Sequence, residues 1–342
     1  MELAPYTTLR LGGPARRFVE AATQDELVRL VRDADEAGEP VLVLAGGSNV
    51  VIADEGFPGT VVRVASRGVR RRTGEHGRVL LEVEAGEPWE PFVAACVDGG
   101  LSGIEALSGI PGSVGATPIQ NVGAYGQEIA ETVVGVRAMD RRSGEVIELG
   151  AAACHFRYRH SRFKDELGRW VVLQVTFELE PSALSRPVRY AELARRLGVE
   201  LGERAPLATV RETVLELRRG KGMVLDDADP DTTSAGSFFT NPILDAAPDG
   251  APAWPQDDGQ VKTSAAWLIE QAGFRKGYGD PDGIAISAKH TLALTNRGQG
   301  TTRELVALAQ EIAGGVRERF GIDLVPEPVF VGHEWPAPRA PA

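Results

Sequence analysis

The sequence predicts an α+β protein made of more than one subdomain. Apolar residues at helical spacing alternate irregularly with short apolar runs of strand length, and no internal repeat is visible. The chain has 342 residues, beyond the size at which one hydrophobic core usually stops growing. Its 40 glycines and 22 prolines require many shaped loops, while 43% hydrophobic and 25% charged residues match an ordinary folded protein and exclude disorder as the main state.

Along the chain, Thr23 to Gly38 carries a capping-box pair, Thr23 and Glu26, then Leu27, Leu30, Val31 and Ala34 at helical spacing and a terminating Gly38. This predicts an amphipathic helix. The apolar run Pro40-Val41-Leu42-Val43-Leu44 predicts a strand that delivers the glycine turn at residues 45–49. Further strands are expected at Thr60–Val64, Val79–Glu84, Val133–Met139, Val146–Leu149 and Trp170–Leu179. Helices are expected at Pro88–Val97, Thr209–Arg219, Ala265–Ala272 and Thr301–Phe320. Arg67, Arg70, Arg71 and Arg72 read as a solvated turn between strands, and Asp226, Asp227, Asp229, Pro230 and Asp231 as an exposed linker. Composition shifts at these two places set the expected subdomain boundaries, giving parts 1–68, 69–220 and 221–328. The segment 329–342 is a candidate addition to the first part, and the Pro- and Ala-rich tail from His333 to Ala342 is expected to fray.

Composition also limits function. Cys96 and Cys154 sit in apolar surroundings without metal-ligand spacing, which predicts packing roles and neither disulfides nor a zinc site. A formal net charge of −11 disfavours general nucleic-acid binding, because no excess of cations exists to displace phosphate counterions. The segment Met1 to Tyr6 is not a basic stretch leading into an apolar run, and no 18-residue uncharged apolar stretch occurs, so a cytoplasmic protein with no membrane partner is expected. His290 has no metal partner at useful spacing and reads as structural.

Two glycine-rich stretches stand out. One is Ala45-Gly46-Gly47-Ser48-Asn49. The other runs Ser108-Gly109-Ile110-Pro111-Gly112-Ser113-Val114-Gly115-Ala116-Thr117-Pro118-Ile119-Gln120-Asn121-Val122-Gly123-Ala124-Tyr125-Gly126. Without a Cβ, successive glycines let backbone N–H groups converge on an anion such as a pyrophosphate. Neither stretch contains G-x-G-x-x-G or ends in G-K-[ST], so neither a Rossmann fingerprint nor a P-loop is supported. A structural turn is the ordinary explanation of an isolated Gly-Gly-Ser. The longer loop, with five glycines, two prolines and six polar residues, is excessive for a simple connection.

Five stretches in order resemble the MurB family of UDP-N-acetylenolpyruvoylglucosamine reductases. They are Ala45-Gly46-Gly47-Ser48-Asn49-Val50, the loop from Ile110 to Gly126, Tyr158-Arg159-His160-Ser161-Arg162-Phe163, Ala235-Gly236-Ser237-Phe238-Phe239-Thr240-Asn241-Pro242 and Pro326-Glu327-Pro328-Val329. The resemblance implies a two-part FAD-binding region of the vanillyl-alcohol oxidase-like (PCMH-type) class plus an α+β substrate-binding subdomain. It implies FAD contacts from Gly46, Gly47, Ser48, Asn49 and Val50 in the first loop. In the second it implies contacts from Ile110, Pro111, Gly112, Ser113, Gly115, Ala116, Thr117, Gln120, Asn121, Gly123, Ala124 and Tyr125. The implied reaction is NADPH-dependent reduction of UDP-N-acetylglucosamine enolpyruvate, in peptidoglycan precursor synthesis, by a monomeric enzyme without a metal.

That chemistry makes demands that side chains can be checked against. Hydride on the terminal carbon of an enol ether leaves negative charge on the adjacent carbon and its carboxylate, which must be stabilised and then protonated. Arg157, Arg159 and Arg162 are equally cationic, and the motif match selects Arg159 for the carboxylate. Ser237 matches the proton donor, although a lone serine is ordinarily a cap or turn residue. Glu327, fixed between Pro326 and Pro328, matches the carboxyl that assists it. Position 325 is Val, so the glutamate some relatives carry there is missing here. Tyr190 resembles the tyrosine of a family type whose additional loop folds over the UDP-sugar. Lys221 and Asn241 match substrate contacts, with Arg218 a weaker match. Two other readings are a flavin oxidase of the same superfamily, separated by NADPH consumption, and a non-catalytic nucleotide-sugar or flavin binder, opposed by the intact Arg159, Ser237 and Glu327.

Overall fold

A computed structural model describes residues 1–256 and 258–336. The expected fraying of the tail therefore lies, from residue 337 onward, outside the described residues. The chain forms two compact units: residues 15–46 with 58–219, and residues 1–14 and 47–57 with 220–342.

In the first unit, the strand Ala15–Ala21 leads into the helix Gln24–Glu36 and then the strand Val41–Leu44, which runs parallel to Phe57–Val64. Half of the capping box expected from the sequence forms. The Glu26 N–H donates to Thr23 Oγ1 at 3.2 Å, satisfying one first-turn donor, while the Glu26 carboxylate accepts the Ala22 N–H at 2.9 Å instead of the Thr23 N–H. A larger antiparallel sheet runs in the order Glu145–Gly150, Val133–Asp140, Trp170–Pro181, Val79–Glu84, Val69–Thr73. Along Val79–Glu84, Val79, Leu81 and Val83 are buried and the alternate residues are not, so one face meets the core. The helix Trp89–Asp98 covers that core, where Trp89, Phe92 and Phe177 pack with ring centroids 5.4–5.9 Å apart. A smaller core joins Val188 and Leu193 to Val210, Val214 and Leu217 of the helix Leu207–Gly220.

Arg67 lies exposed in the connection between two strands, as expected, but the other three arginines do not form a turn. Arg70, Arg71 and Arg72 lie in the exposed edge strand Val69–Thr73, and both Arg70 and Arg72 pair with Glu82 of the neighbouring strand. Charge on an edge strand discourages pairing with another chain, and the cross-strand ion pairs suit the extended conformation.

In the second unit, the strands Ser234–Ser237, Ala293–Asn296 and Ile284–Ile286 form an antiparallel sheet against the helices Ala265–Gln271 and Thr302–Phe320. The strand Val50–Ile52 pairs in parallel with Val329–Val331. Asp54 accepts the N–H groups of Thr302 and Arg303, and the Thr302 hydroxyl donates to Ile52 C=O at 2.7 Å, so the long helix starts on this strand. The acidic run is only partly the exposed linker its composition suggests. Asp231 is buried, paired with Arg297 at 2.9 Å, and accepts the Ala288 N–H at 3.0 Å. A carboxylate withdrawn from water needs such partners. No helix among the described residues is long and apolar enough to cross a membrane.

Candidate active site

Within the first unit, Gly46 of the first glycine stretch meets the second glycine loop. A Cβ on Gly46 would lie 2.5 Å from Gly112 Cα and 2.9 Å from Ser113 N, and one on Gly115 would lie 2.5 Å from Ala85 Cβ. Only glycine permits these approaches. The second loop is anchored to the sheet by Gly115 N–H donating to Ala85 C=O at 2.8 Å and Val114 N–H to Glu87 C=O at 2.9 Å. Glu90 accepts the Gly109 N–H and is itself paired with Arg211, a support the sequence did not single out. Asn121, at φ 47°, is buried and holds the loop from inside: its amide donates to Glu128 at 2.6 Å and to Arg157 C=O at 3.1 Å.

Ser113 provides a test of fit for a phosphate-bearing cofactor. It is buried, and its Oγ has no hydrogen-bond partner among the described residues. An orphaned hydroxyl costs about 1–3 kcal/mol unless something accepts or donates there. Beside the Gly46–Gly112 crossing it fits a ligand with hydrogen-bonding oxygens, and these residues fit FAD.

Arg159 is the second of two residues between Arg157 and His160, which exchange backbone hydrogen bonds at 3.0 Å in both directions. Its φ of 52° is a left-handed conformation that costs on the order of 1 kcal/mol or more for a residue with a side chain. The guanidinium lies 5.3 Å from the Tyr158 ring centroid and donates to Gly123 C=O at 2.7 Å, which joins it to the second glycine loop. Tyr125, at φ 49°, occupies the tip of the hairpin formed by Gly123–Ala124 and Gln127–Glu128. Tyr190 precedes the helix Ala191–Leu197, is exposed, and meets Tyr125 edge-on at 5.4 Å. Arg218 is buried, and burial, opposed by nearby Tyr125 and Glu90, pushes its guanidinium down to about 10. Burial likewise pushes the Cys96 thiol up to about 12 and Cys154 to about 11, in keeping with packing roles.

The second unit gathers Asn49, Ser237 and Glu327. Ser237 ends the strand Ser234–Ser237 opposite Ala293, after Gly236 at φ 73°, and the next two residues, Phe238 and Phe239, are buried. The Glu327 N–H donates to Phe238 C=O at 2.8 Å, so Ser237 and Glu327 are held next to each other in the backbone ladder. The Asn49 amide donates to Glu327 C=O at 3.2 Å, and Val329 N–H donates to Asn49 C=O at 3.0 Å, clasping the Pro-Glu-Pro segment from both sides. Gly47, at φ 61°, has Tyr6 O where a Cβ would stand, 1.9 Å away, and the Thr8 hydroxyl joins Ser48 C=O to Ser234 C=O. Asn241 Oδ1 accepts the Ala265 N–H at 3.0 Å at the start of the helix Ala265–Gln271. Lys221 follows the helix Leu207–Gly220 and is half-buried. Arg159 and Tyr190 thus belong to one unit, and Ser237, Glu327, Lys221 and Asn241 to the other.

Comparison with known proteins identifies the family. Residues 15–150 match an FAD binding domain, and residues 229–331 match the C-terminal domain of UDP-N-acetylenolpyruvoylglucosamine reductase. The chain is 59% identical over 345 residues to the UDP-N-acetylenolpyruvoylglucosamine reductase of Thermobifida fusca, covering 96% of each. It is 58% identical to that of Streptomyces coelicolor, covering 96% of this chain and 89% of the relative. The crystal structure of the reductase (MurB) from Thermus caldophilus superposes with a TM-score of 0.67 at 26% identity, covering 97% of each chain. With an FAD binding domain in its N-terminal half and whole-length relatives of one name, the chain belongs to the family of UDP-N-acetylenolpyruvoylglucosamine reductases, FAD-dependent oxidoreductases of peptidoglycan precursor synthesis.

Proposed function

We propose that this chain reduces UDP-N-acetylglucosamine enolpyruvate to UDP-N-acetylmuramate with NADPH, and that Arg159, Ser237 and Glu327 complete the reduction. When bound, FAD would supply the hydride-transfer chemistry between NADPH and the enol ether. The glycine loops, Gly46 to Val50 and Ile110 to Tyr125, hold it, and the orphaned Ser113 hydroxyl supports that assignment. Arg159 binds the substrate carboxylate and stabilises charge as it develops there. Ser237 Oγ then gives its proton to the adjacent carbon. Glu327 hydrogen-bonds at the same centre, and the buried Phe238 and Phe239 limit water beside it. The observation that carries most weight is the Glu327–Phe238 backbone bond, because it brings two motifs some 90 residues apart to one place.

We place the chain in the family type with the additional tyrosine-bearing loop. Tyr190, exposed and braced edge-on by Tyr125, supports this and serves the UDP-sugar with Lys221 and Asn241. The matched regions support FAD binding within residues 1–68 and 69–220, with 329–342 adjoining the first, and substrate binding within 221–328. We also infer a monomeric cytoplasmic enzyme without nucleic-acid or membrane partners, and the net charge of −11 supports the absence of nucleic acid. Relatives named as reductases along their whole length do not favour a flavin oxidase or a non-catalytic binder.

The test is anaerobic. Purified yellow protein should bleach on NADPH and regain colour on UDP-N-acetylglucosamine enolpyruvate. Bleaching without recovery would sink the assigned reaction. Ser237→Ala should bleach at a near-normal rate and recover at least about 100-fold more slowly, within the usual range for loss of a general acid. Equal slowing of both halves would remove Ser237 from proton donation.

A further inference from the structure

Glu105 sits in the otherwise uncharged stretch from Leu101 to Leu107 and is 0% exposed. Among the described residues no cationic side chain forms an ion pair with it. Its oxygens are filled by three N–H donors instead: Gly103 N–H at 2.6 Å on Oε2, and Gln127 Nε2 at 2.9 Å and Arg186 N–H at 2.7 Å on Oε1. Gln127, also buried, accepts the Ala106 N–H at 2.8 Å through its other amide atom. A carboxylate placed in a core without a counter-charge is a costly way to fill volume, and a leucine would fill it without that cost. What a leucine could not do is hold three chain segments at once.

Two of those segments carry Tyr125 and Tyr190, of which Tyr190 is assigned to the substrate and Tyr125 braces it. Gln127 lies on the hairpin whose tip is Tyr125 and Gly126, at φ 49° and 83°. Arg186 opens the extended stretch that runs to Tyr190. Gly126 is pressed against Arg189, where an added Cβ would meet Arg189 Cβ at 3.0 Å, and the two rings stand edge-on. Arg159 is fastened to the first residue of the same hairpin through Gly123 C=O.

We propose that Glu105 is a positioning residue for substrate binding. By fixing the Gln127 strand and the Arg186 backbone on one carboxylate, it sets the edge-on contact of Tyr125 with Tyr190 and so the ring of Tyr190, which receives the UDP-sugar. The inference rests on the assignment of Tyr190 to the substrate. Both oxygens of Glu105 act as acceptors, so Glu105→Gln keeps the shape but turns an N–H against an N–H donor.

The test uses flavin-loaded enzyme and UDP-N-acetylglucosamine enolpyruvate as the probe. Glu105→Gln should raise the Kd for this ligand on the oxidised enzyme, and its KM, by about tenfold or more. Flavin content and the limiting rate of flavin reduction by NADPH should stay within about twofold. The double variant Glu105→Gln/Gln127→Glu, which restores the mutual hydrogen bond with donor and acceptor exchanged, should recover at least about threefold of the lost affinity. An unchanged Kd in Glu105→Gln, with wild-type turnover intact, overturns the inference and leaves the assigned reaction standing. Equal losses in both half-reactions overturn it too, because they describe a merely structural residue. If Glu105→Gln fails to fold, Gln127→Leu replaces it and leaves the carboxylate its two backbone donors; the same rise in Kd is expected and an unchanged Kd is again fatal. A wild-type protein that neither binds nor reduces the probe refutes the proposed function itself.

Discussion

An alanine at position 46 would set its Cβ 2.5 Å from Gly112 Cα and 2.7 Å from Gly112 C, both backbone atoms, so no side-chain rotation relieves the clash. Gly46→Ala is expected to destabilise the protein by about 1–3 kcal/mol and to lower flavin content. Urea denaturation and the flavin-to-protein absorbance ratio measure this, with Gly150→Ala as a control because a Cβ there meets nothing within 4 Å. An equal response of the two variants would show that the crossing of the loops tolerates a methyl group. At this scale the sequence was informative where chemistry is local. Glu327 between two prolines and Ser237 between glycine and phenylalanine announce constrained backbones. What it hid are bonds between distant positions. Asn49 matched only a flavin contact, yet its amide reaches Glu327 C=O across 278 residues of sequence. Glu105 looks like one stray charge in an uncharged run until Gln127 and Arg186 are seen around it.

Elements announced themselves when their signals were contiguous. The helices Gln24–Glu36 and Thr302–Phe320 both begin at a threonine cap visible as Thr-x-x-Glu, which closes into a full capping box in the second, and the second stops at Gly321 with φ 69°. The strands Ala15–Ala21 and Val69–Thr73 escaped notice because arginines break their alternation; in the second, Glu82 on the neighbouring strand pairs with Arg70 and Arg72, and in the first Arg16 pairs with Glu39. A related ion pair closes the junction of Val133–Asp140 with Trp170–Pro181. The Arg169 guanidinium donates to both Asp140 oxygens, reaches Glu166, and stacks 4.6 Å from the Trp170 ring centroid. Arg169 beside Asp140 holds that carboxyl below the ordinary carboxylate range, against the opposing effect of burial. A depressed folded-state pKa contributes stability above the unfolded value near 3.9, and that contribution is lost as pH falls through the folded value. Arg169→Ala should therefore lower Tm clearly at pH 7, with the gap from wild type closing below about pH 4. A gap that stays constant down to pH 2 in thermal melts would mean that packing on Trp170, not the carboxylate, accounts for the loss.

For the whole molecule, the informative fact is that neither compact unit is a continuous piece of chain. The polypeptide crosses between them after residues 14, 46, 57 and 219. This could not be read from composition, which shifts where charge accumulates and not where strands find partners. It also makes the second unit dependent on early residues. The strand Val329–Val331 pairs with Val50–Ile52, Asn296 donates to Leu9 C=O, and Asp54 caps the Thr302–Phe320 helix. Residues 220–342 produced alone should accordingly fail to fold, giving a non-cooperative thermal melt and poorly dispersed amide NMR signals. A cooperative transition would show that those early contacts are dispensable. The same pairing places a delay in biosynthesis. Val50–Ile52 leaves the ribosome about 280 residues before Val329–Val331, which at roughly 5–20 residues per second is a wait on the order of 15–55 s. Throughout it Val51 and Ile52, fully buried in the finished fold, are greasy residues on an unpaired strand. The nascent chain is consequently exposed to aggregation for far longer than its local structure takes to form, and the cell's holding chaperones are the natural shelter for that interval.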